Sequence, residues 1–253
     1  MLPHDELAPV DQYILLKLER LRSRVTDGFD NYEFHQPMTL IHQFCDNELS
    51  SFYIDVSKDK LYADAEHAKS RRSIRTVMWQ VLETITQMMS PVLSFTAEEI
   101  WQKMREMDPT LAKSVLLADW PEPLAEGIDP AVEEEWDLLL MARQGVLRGL
   151  EAARGKGIIG HPLDADVQVK LSDYYKPLAG RISDETWENI LIVSGCHVVD
   201  EISGAENVYE DETTGLTVGV SKSKDEKCPR CWKHRHEVAE KGICDRCADV
   251  VGK

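Results

Sequence analysis

The chain has 253 residues, of which 29 are Lys or Arg and 45 are Asp or Glu, so its formal net charge is −16. Proteins that coat DNA or RNA irrespective of sequence are basic overall, so this charge excludes a general nucleic-acid binder and leaves a specific one open. The sequence contains no run of 18 apolar residues and no signal peptide at its start. We therefore expect a cytoplasmic protein of two or three domains with no membrane partner.

Helical periodicity dominates from about residue 10 to residue 120. The longest amphipathic stripe runs from Arg71 to Met89, with apolar residues three and four apart. In the string FTAEEIW, Thr96 and Glu99 have the spacing of a capping box, which predicts that a helix starts there. Several amphipathic helices joined by short connections indicate a helical bundle, which we place at residues 1–125.

The pattern changes after the proline-rich string PEPLAEGIDP, which marks a boundary. One more helix follows and stops at the glycines of ARGKGIIGHP. Alternation with a period of two then appears at 166–171 and 216–220, with a short apolar run, ILIVS, between them. We predict a mainly α protein in which a small α/β junction module (126–221) and a zinc-binding knuckle (222–253) follow the bundle. The apolar face of the connecting helix is expected to carry Val132, Trp136, Leu139, Leu140, Leu147 and Leu150.

Two Cys-x-x-Cys pairs lie twelve residues apart near the end of the chain. This spacing is typical of a tetrahedral structural zinc site, in which each pair sits on a tight turn. Four thiolates leave no open position for a catalytic water, so the zinc is expected to be structural. The remaining cysteines, Cys45 and Cys196, are expected to be ordinary buried thiols. The predicted zinc ligands are Cys228, Cys231, Cys244 and Cys247.

Three basic patches, two of which include a tryptophan, are candidate RNA contacts, through base stacking and phosphate binding. The two patches with a tryptophan have a structural alternative. Trp79 could pack against a neighbouring helix while the arginines pair with acids such as Glu83, Trp232 could cover the metal site, and the knuckle cations could lie on a solvated turn. The candidates are Arg71, Arg72, Arg75 and Trp79 on the long helix, Arg154 and Lys156 in the ARGKG turn, and Arg230, Trp232, Lys233 and Arg235 in the knuckle.

Charged runs elsewhere are expected to be solvated surface. They are KDK (58–60), EEEWD (133–137) and YEDETTG (209–215).

Five sequence features stand in order along the chain. They are FYIDVSKDKLYAD (52–64), the arginine pair 71–72, SPVLSFTAEEIW (90–101), SVLLADWPE (114–122) and KCPRCW with ICDRC (227–247). Together they resemble the C-terminal part of bacterial isoleucyl-tRNA synthetases, a class I aminoacyl-tRNA synthetase family. The first four resemble the helical anticodon-binding domain that the isoleucine, valine, leucine and methionine enzymes share, and the closing zinc motif favours isoleucine. The resemblance implies a domain that binds the anticodon side of tRNA, next to catalytic domains of the same polypeptide.

Synthetases of this class carry His-Ile-Gly-His-like and Lys-Met-Ser-Lys-Ser-like signatures, and this sequence has neither. We therefore expect no catalytic residues and no activity from this chain alone, whereas the intact enzyme would join isoleucine to its tRNA using ATP. A zinc-ribbon adaptor that binds another protein, or the equivalent region of a sister synthetase, remains an alternative. A zinc-dependent deaminase is disfavoured because Pro229 lies inside the first pair and the site is closed. A zinc-finger DNA glycosylase is disfavoured because the chain begins Met1-Leu2-Pro3, without the expected Met-Pro-Glu.

Overall fold

The structure, a computed structural model, describes residues 1–252, which form two compact units. Residues 1–57 and 66–133 make up the first unit, and residues 58–65 with those from 134 onward make up the second. The division at residues 125 and 221 that the sequence suggests stays a prediction. Helical elements up to residue 117 are α1 (Pro9–Asp30), α2 (His35–Gln43), a π-helical segment (Phe44–Tyr53), α3 (Ile54–Ala63), α4 (Lys69–Met89), α5 (Ser94–Met107) and one-turn 3-10 helices at His4–Glu6 and Val115–Leu117.

The first unit is a helical bundle, as the periodicity predicts. Helix α1 packs against α2 and α4, and α4 packs against α5. Asp11 of α1 is fully buried at the centre of this packing and accepts hydrogen bonds from the hydroxyls of Tyr53 (2.6 Å) and Ser73. A buried carboxylate that is held by donors from two other segments fixes how these segments meet.

The predicted capping box on α5 is wrong. The helix begins at Ser94, two residues before Thr96, and its N-cap is Leu93, which makes no side-chain cap. Glu98 instead accepts hydrogen bonds from Ser114 Oγ (2.8 Å) and from the backbone N–H of Val115 (3.0 Å). Glu98 therefore holds the segment that follows α5 against this helix, and the start of the helix has no side-chain cap.

The second unit contains a four-stranded sheet with the strand order β2-β1-β4-β3. Strand β1 runs parallel to β2 and antiparallel to β4, so that Val167 pairs with Cys196 on one side and Val220 on the other. The ILIVS run does not form a strand, because Ile190 and Leu191 end α7 and β2 begins at Gly195. The elements are α6 (Ala131–Gly155), β1 (Ala165–Lys170), α7 (Asp184–Leu191), β2 (Gly195–Val198), β3 (Asn207–Glu210), β4 (Thr217–Lys222), β5 (Glu226–Lys227), β6 (His234–Arg235), α8 (Val238–Lys241), α9 (Asp245–Val251) and 3-10 turns at Pro162–Asp164 and Lys176–Leu178.

Helix α6 approaches the sheet at two glycines. A Cβ at Gly149 would lie 2.9 Å from Val218 Cβ, and one at Gly145 would lie 2.4 Å from Thr214 Oγ1. The buried face of the helix accordingly differs from the face expected from leucine spacing, since Leu140 and Leu147 are only half-buried. The fully buried apolar side chains are those of Trp136, Leu139, Ala142, Val146, Leu150 and Ala153.

We expect Gly149→Ala to lower the free energy of unfolding of the second unit by about 1–3 kcal/mol, because the new methyl group overpacks against Val218. Alanine favours a helix over glycine by about 1 kcal/mol, so a loss of stability would isolate the steric effect. Gly155→Ala is the matched control, because no atom lies within 4 Å of its Cβ position. Urea denaturation of the two variants compares them directly. Equal stability of both would contradict the close approach.

Candidate metal centre and basic surfaces

The four cysteines converge on one point in the knuckle. The first pair follows β5, Cys244 is the N-cap of α9, and Cys247 lies in the first turn of that helix. All four sulfur atoms lie within 4.8 Å of one another, and those of Cys231 and Cys244 are 3.7 Å apart. A tetrahedral zinc ion with Zn–S bonds of about 2.3 Å requires sulfur separations of about 3.8 Å. The cluster therefore fits a four-thiolate zinc site.

The surroundings of the thiols lower the pKa of one cysteine and raise the pKa of two others. Burial opposes ionisation of Cys228, but backbone N–H groups of Cys231, Cys244 and Arg230 lower its pKa to about 6. Burial raises the pKa of Cys231 and of Cys244, and the neighbouring sulfurs raise the pKa of Cys244 further. Four adjacent thiolates are stable only beside a cation, so metal binding is coupled to release of their protons. The donor set is that of a structural zinc ion.

Three knuckle cations that we expected to contact RNA are turned inward. Lys233 is 7% exposed, and its ammonium donates to Asn189 Oδ1 at 3.1 Å. Arg235 pairs with Glu188 at 2.6 Å and donates to the Ser194 carbonyl. These contacts hold the knuckle against α7 and the start of β2, so the structure assigns Lys233 and Arg235 a structural position.

Arg230 is also engaged inside the second unit. Its guanidinium donates to the carbonyls of Ala63 and Tyr62 and to Cys247 Sγ, the last at 3.4 Å. Like Lys233 and Arg235, it is not available to RNA in this conformation.

Trp232 is the exposed aromatic of the knuckle. It is 61% exposed, so it does not cover the metal site. Its backbone has a φ of 68°, a left-handed conformation that is uncommon for a bulky residue, and its N–H donates to the Cys228 carbonyl at 2.9 Å. Such strain is held by the surrounding turn and is frequent at functional positions. The turn thus presents the indole to solvent.

The α4 patch borders a cleft of about 510 Å³ on the first unit. Arg72 and Arg75 are exposed, and within residues 1–252 neither side chain has a hydrogen bond or an ion pair. Trp79 is half-buried, and its indole N–H donates to Glu83 at 3.1 Å, whereas the structural alternative paired this acid with the arginines. Arg71 differs from the other two arginines because it is half-buried and already engaged. We call this cavity the α4 cleft. Its wall includes Arg72, Arg75, Met78, Trp79, Leu82 and Met107.

The ARGKG turn at the end of α6 remains largely open. Arg154 has only a 3.6 Å ion pair with Glu151, one turn earlier on the same helix, and its side chain is 58% exposed. Lys156 is exposed, but its ammonium donates to Asn207 Oδ1 at 2.6 Å. Of these two cations, Arg154 is the one more available to a phosphate.

Comparisons with known proteins agree with this architecture. Residues 11–171 match the model of the anticodon-binding domain of tRNA ligases, which is more than half of the chain. The chain belongs to this family. Residues 225–250 match the zinc finger found in FPG and IleRS, and the knuckle is therefore the site of one structural zinc ion.

The curated relatives described below are all isoleucine--tRNA ligases. The isoleucine--tRNA ligases of Persephonella marina and Thermotoga maritima are each 36% identical to the chain over 98% of its length. The isoleucine--tRNA ligase of Caldanaerobacter subterraneus is 37% identical over 99%. The chain spans only 26–27% of the length of these relatives. It resembles one region of an isoleucine--tRNA ligase, and the catalytic domain is absent from it.

The acidic runs assigned to solvent each contain a residue with a structural role. Glu133 is 3% exposed and pairs with Lys17 (3.2 Å) and Arg20 (2.7 Å). Asp211 is also 3% exposed and pairs with Arg148. In KDK, the Asp59 side chain is 22% exposed and pairs with Arg246 at 2.6 Å. The expectation that KDK, EEEWD and YEDETTG are wholly solvated is therefore wrong.

Two cations of the knuckle are absent from the residues that sequence reasoning selected. Arg246 occupies the same place in the second Cys-x-x-Cys pair as Arg230 does in the first. Lys227 is exposed next to Cys228.

Among residues 1–252, no helix combines the length and apolar character that a bilayer crossing needs.

Proposed function

We propose that this chain is the tRNA-binding portion of an isoleucyl-tRNA synthetase, acting in the cytoplasm beside catalytic domains of the same polypeptide. It would hold the anticodon side of an isoleucine tRNA, so that the acceptor end reaches the site where isoleucine is joined to it with ATP. The observation that carries the proposal is the α4 cleft, in which two arginines without a side-chain partner among residues 1–252 line the same wall as a tryptophan, within an anticodon-binding fold.

The chemistry of the α4 cleft suits unpaired nucleotides. Anticodon bases are recognised when they are splayed out and stacked on aromatic rings or guanidinium planes. Arg72 and Arg75 are free to approach a base or a phosphate, and the half-buried ring of Trp79 offers an apolar wall. Because the chain carries a net charge of −16, such local cations would decide where RNA can approach.

Three side chains of the second unit are proposed as separate RNA contacts. The exposed indole of Trp232 is suited to stacking on a base, which contributes about 1–3 kcal/mol. The exposed cations Lys227, next to Cys228, and Arg154, at the end of α6, are suited to phosphates. This revised set replaces Arg230, Lys233 and Arg235, whose donors are used within the second unit.

We expect the zinc-loaded chain to bind an isoleucine tRNA transcript (anticodon GAU) more tightly than the same transcript with a substituted anticodon. Arg72→Ala and Arg75→Ala should each weaken binding about 3- to 10-fold and lower the salt dependence by about one phosphate contact, if they bind phosphates. Arg24→Ala is the matched control, because Arg24 is exposed on α1 and does not line the α4 cleft. Fluorescence anisotropy at several fixed salt concentrations measures each affinity.

Each outcome separates the proposal from its rivals. Preference for GAU that is lost in the α4 cleft variants would support anticodon reading there. Equal binding of both transcripts would mean that the chain contacts only the tRNA backbone and does not read the anticodon. Absence of binding to either transcript would favour the zinc-ribbon adaptor, for which Trp232 would be the natural protein contact.

A further inference from the structure

The two metal-binding turns share a residue besides their cysteines. Both read Cys-x-Arg-Cys, which places Arg230 and Arg246 immediately before the second cysteine of each pair. Arg230 donates to the sulfur of Cys247, in the other turn, at 3.4 Å. Arg246 holds the equivalent place beside Cys247, and its guanidinium donates two hydrogen bonds to the Asp59 carboxylate. Arg230 therefore reaches across the site to a ligand of the other turn, and Arg246 joins the turn that carries this ligand to α3.

Both arginines also contact the end of α3, in the segment 58–65 of the second unit. Arg246 makes a bidentate ion pair with Asp59, with distances of 2.6 and 2.7 Å, and lies 3.6 Å from Asp64. Arg230 donates to the carbonyls of Tyr62 and Ala63. These carbonyls belong to the last turn of α3, where no intrahelical N–H remains to pair with them. A cation at this position also suits the negative end of the helix dipole.

We propose that Arg230 and Arg246 are the outer shell of the zinc site, and that Asp59 is the residue that positions Arg246. Four thiolates and one Zn²⁺ carry a net charge of −2, and Arg230 places a positive charge beside it, whereas the charge of Arg246 is shared with Asp59. Arg230 also caps the α3 carbonyls and Arg246 pairs with Asp59 of the same helix, so metal binding and order at the end of α3 become one cooperative event. The inference concerns the metal site and does not depend on which RNA the chain binds.

The alternative role for these arginines is RNA contact, and the geometry disfavours it. All the hydrogen bonds of Arg230 described above lead to helix carbonyls or to a ligand sulfur. The Arg246 fork is occupied by both oxygens of Asp59, a carboxylate whose pKa is lowered by that pairing against the effect of its own burial. Outer-shell groups of this kind typically change metal affinity 10- to 100-fold when they are removed.

The test uses the full chain and measures zinc affinity by competition with a chelator of known affinity. We expect Arg230→Ala and Arg246→Ala each to weaken zinc binding by about 10-fold or more. Asp59→Asn should weaken it less, and Arg246→Lys should restore part of the loss because the charge remains. Lys241→Ala is the control, since Lys241 is a cation of the same knuckle whose ammonium pairs with Asp245 at 2.6 Å. Its affinity should match that of the wild type.

Cobalt substitution separates an outer-shell role from a general loss of fold. With Co²⁺ in the site, Arg230→Ala removes a donor to the Cys247 sulfur and should move the thiolate-to-metal charge-transfer band to lower energy while the tetrahedral d–d bands persist. Zinc affinity within twofold of the wild type in both alanine variants would overturn the proposal. A weaker affinity with an unshifted charge-transfer band in Arg230→Ala, or with loss of the d–d bands in both the alanine and the Arg246→Lys variants, would also overturn it, because the arginines would then act only on the fold.

Discussion

Replacing Cys244 by serine is expected to reduce the zinc content from about one ion per chain to nearly none and to unfold residues 225–251. The apolar core of the knuckle is small, because it consists of the four cysteines with Val238 and Ile243. Binding of structural zinc contributes about 10–16 kcal/mol at neutral pH, and in such small modules this is the folding free energy itself. Metal analysis, together with amide hydrogen exchange along the chain, measures both effects.

Cys45→Ser is the matched control for this loss. Cys45 is a half-buried thiol of the π-helical segment and lies outside the metal cluster. Its replacement should leave the zinc content unchanged. In Cys244→Ser the helices of the first unit should retain their protection from exchange, because their core contains none of the zinc ligands. A zinc content near one per chain in Cys244→Ser would remove Cys244 from the ligand set.

The features that the sequence predicts well are those that depend on local spacing. Two Cys-x-x-Cys pairs can meet at one metal whatever surrounds them, and the predicted zinc site is confirmed. The stripe from Arg71 to Met89 predicts α4 to within two residues at its start, because 3.6-residue periodicity is a property of the segment itself. The mainly α fold with a small sheet is confirmed for the same reason.

Features that depend on distant partners could not be predicted. Arg230 and Arg75 look alike in the sequence, but Arg230 is 167 residues away from the carbonyl that it binds, whereas Arg75 has no partner within residues 1–252. Nothing in a single sequence distinguishes a cation with a distant acceptor from a free one. The same reasoning applies to Gly149. A glycine is needed there because Val218 approaches the helix closely, and only the folded sheet creates this approach.

Asp211 is the strongest case of this kind, and its replacement by alanine should lower the free energy of unfolding of the second unit by about 3 kcal/mol. Its side chain is 2% exposed and accepts two hydrogen bonds, at 2.6 and 2.8 Å, from Arg148 of α6. It also accepts from the N–H and the hydroxyl of Thr214, at 2.8 and 2.7 Å. Removing the carboxylate leaves these donors without a partner beside the glycine face of α6.

Acid should remove the same stabilisation from the unmodified protein. Hydrogen bonds from Arg148, followed by those from Thr214, hold the pKa of Asp211 well below the value of about 3.9 that an unfolded chain would give it, despite the burial. Because the folded pKa is the lower one, the stabilisation is present in full above about pH 5 and is lost progressively as the pH falls through the unfolded and then the folded pKa. Urea denaturation should therefore show that the free energy of unfolding falls less between pH 6 and pH 3 in Asp211→Ala than in the wild type. The matched control is Asp173→Ala, since Asp173 is an exposed partner of Lys176 with a side chain 92% exposed. An equal loss in Asp211→Ala and wild type would mean that the Arg148 pair contributes nothing, and that the acid run beyond β3 is solvated surface after all.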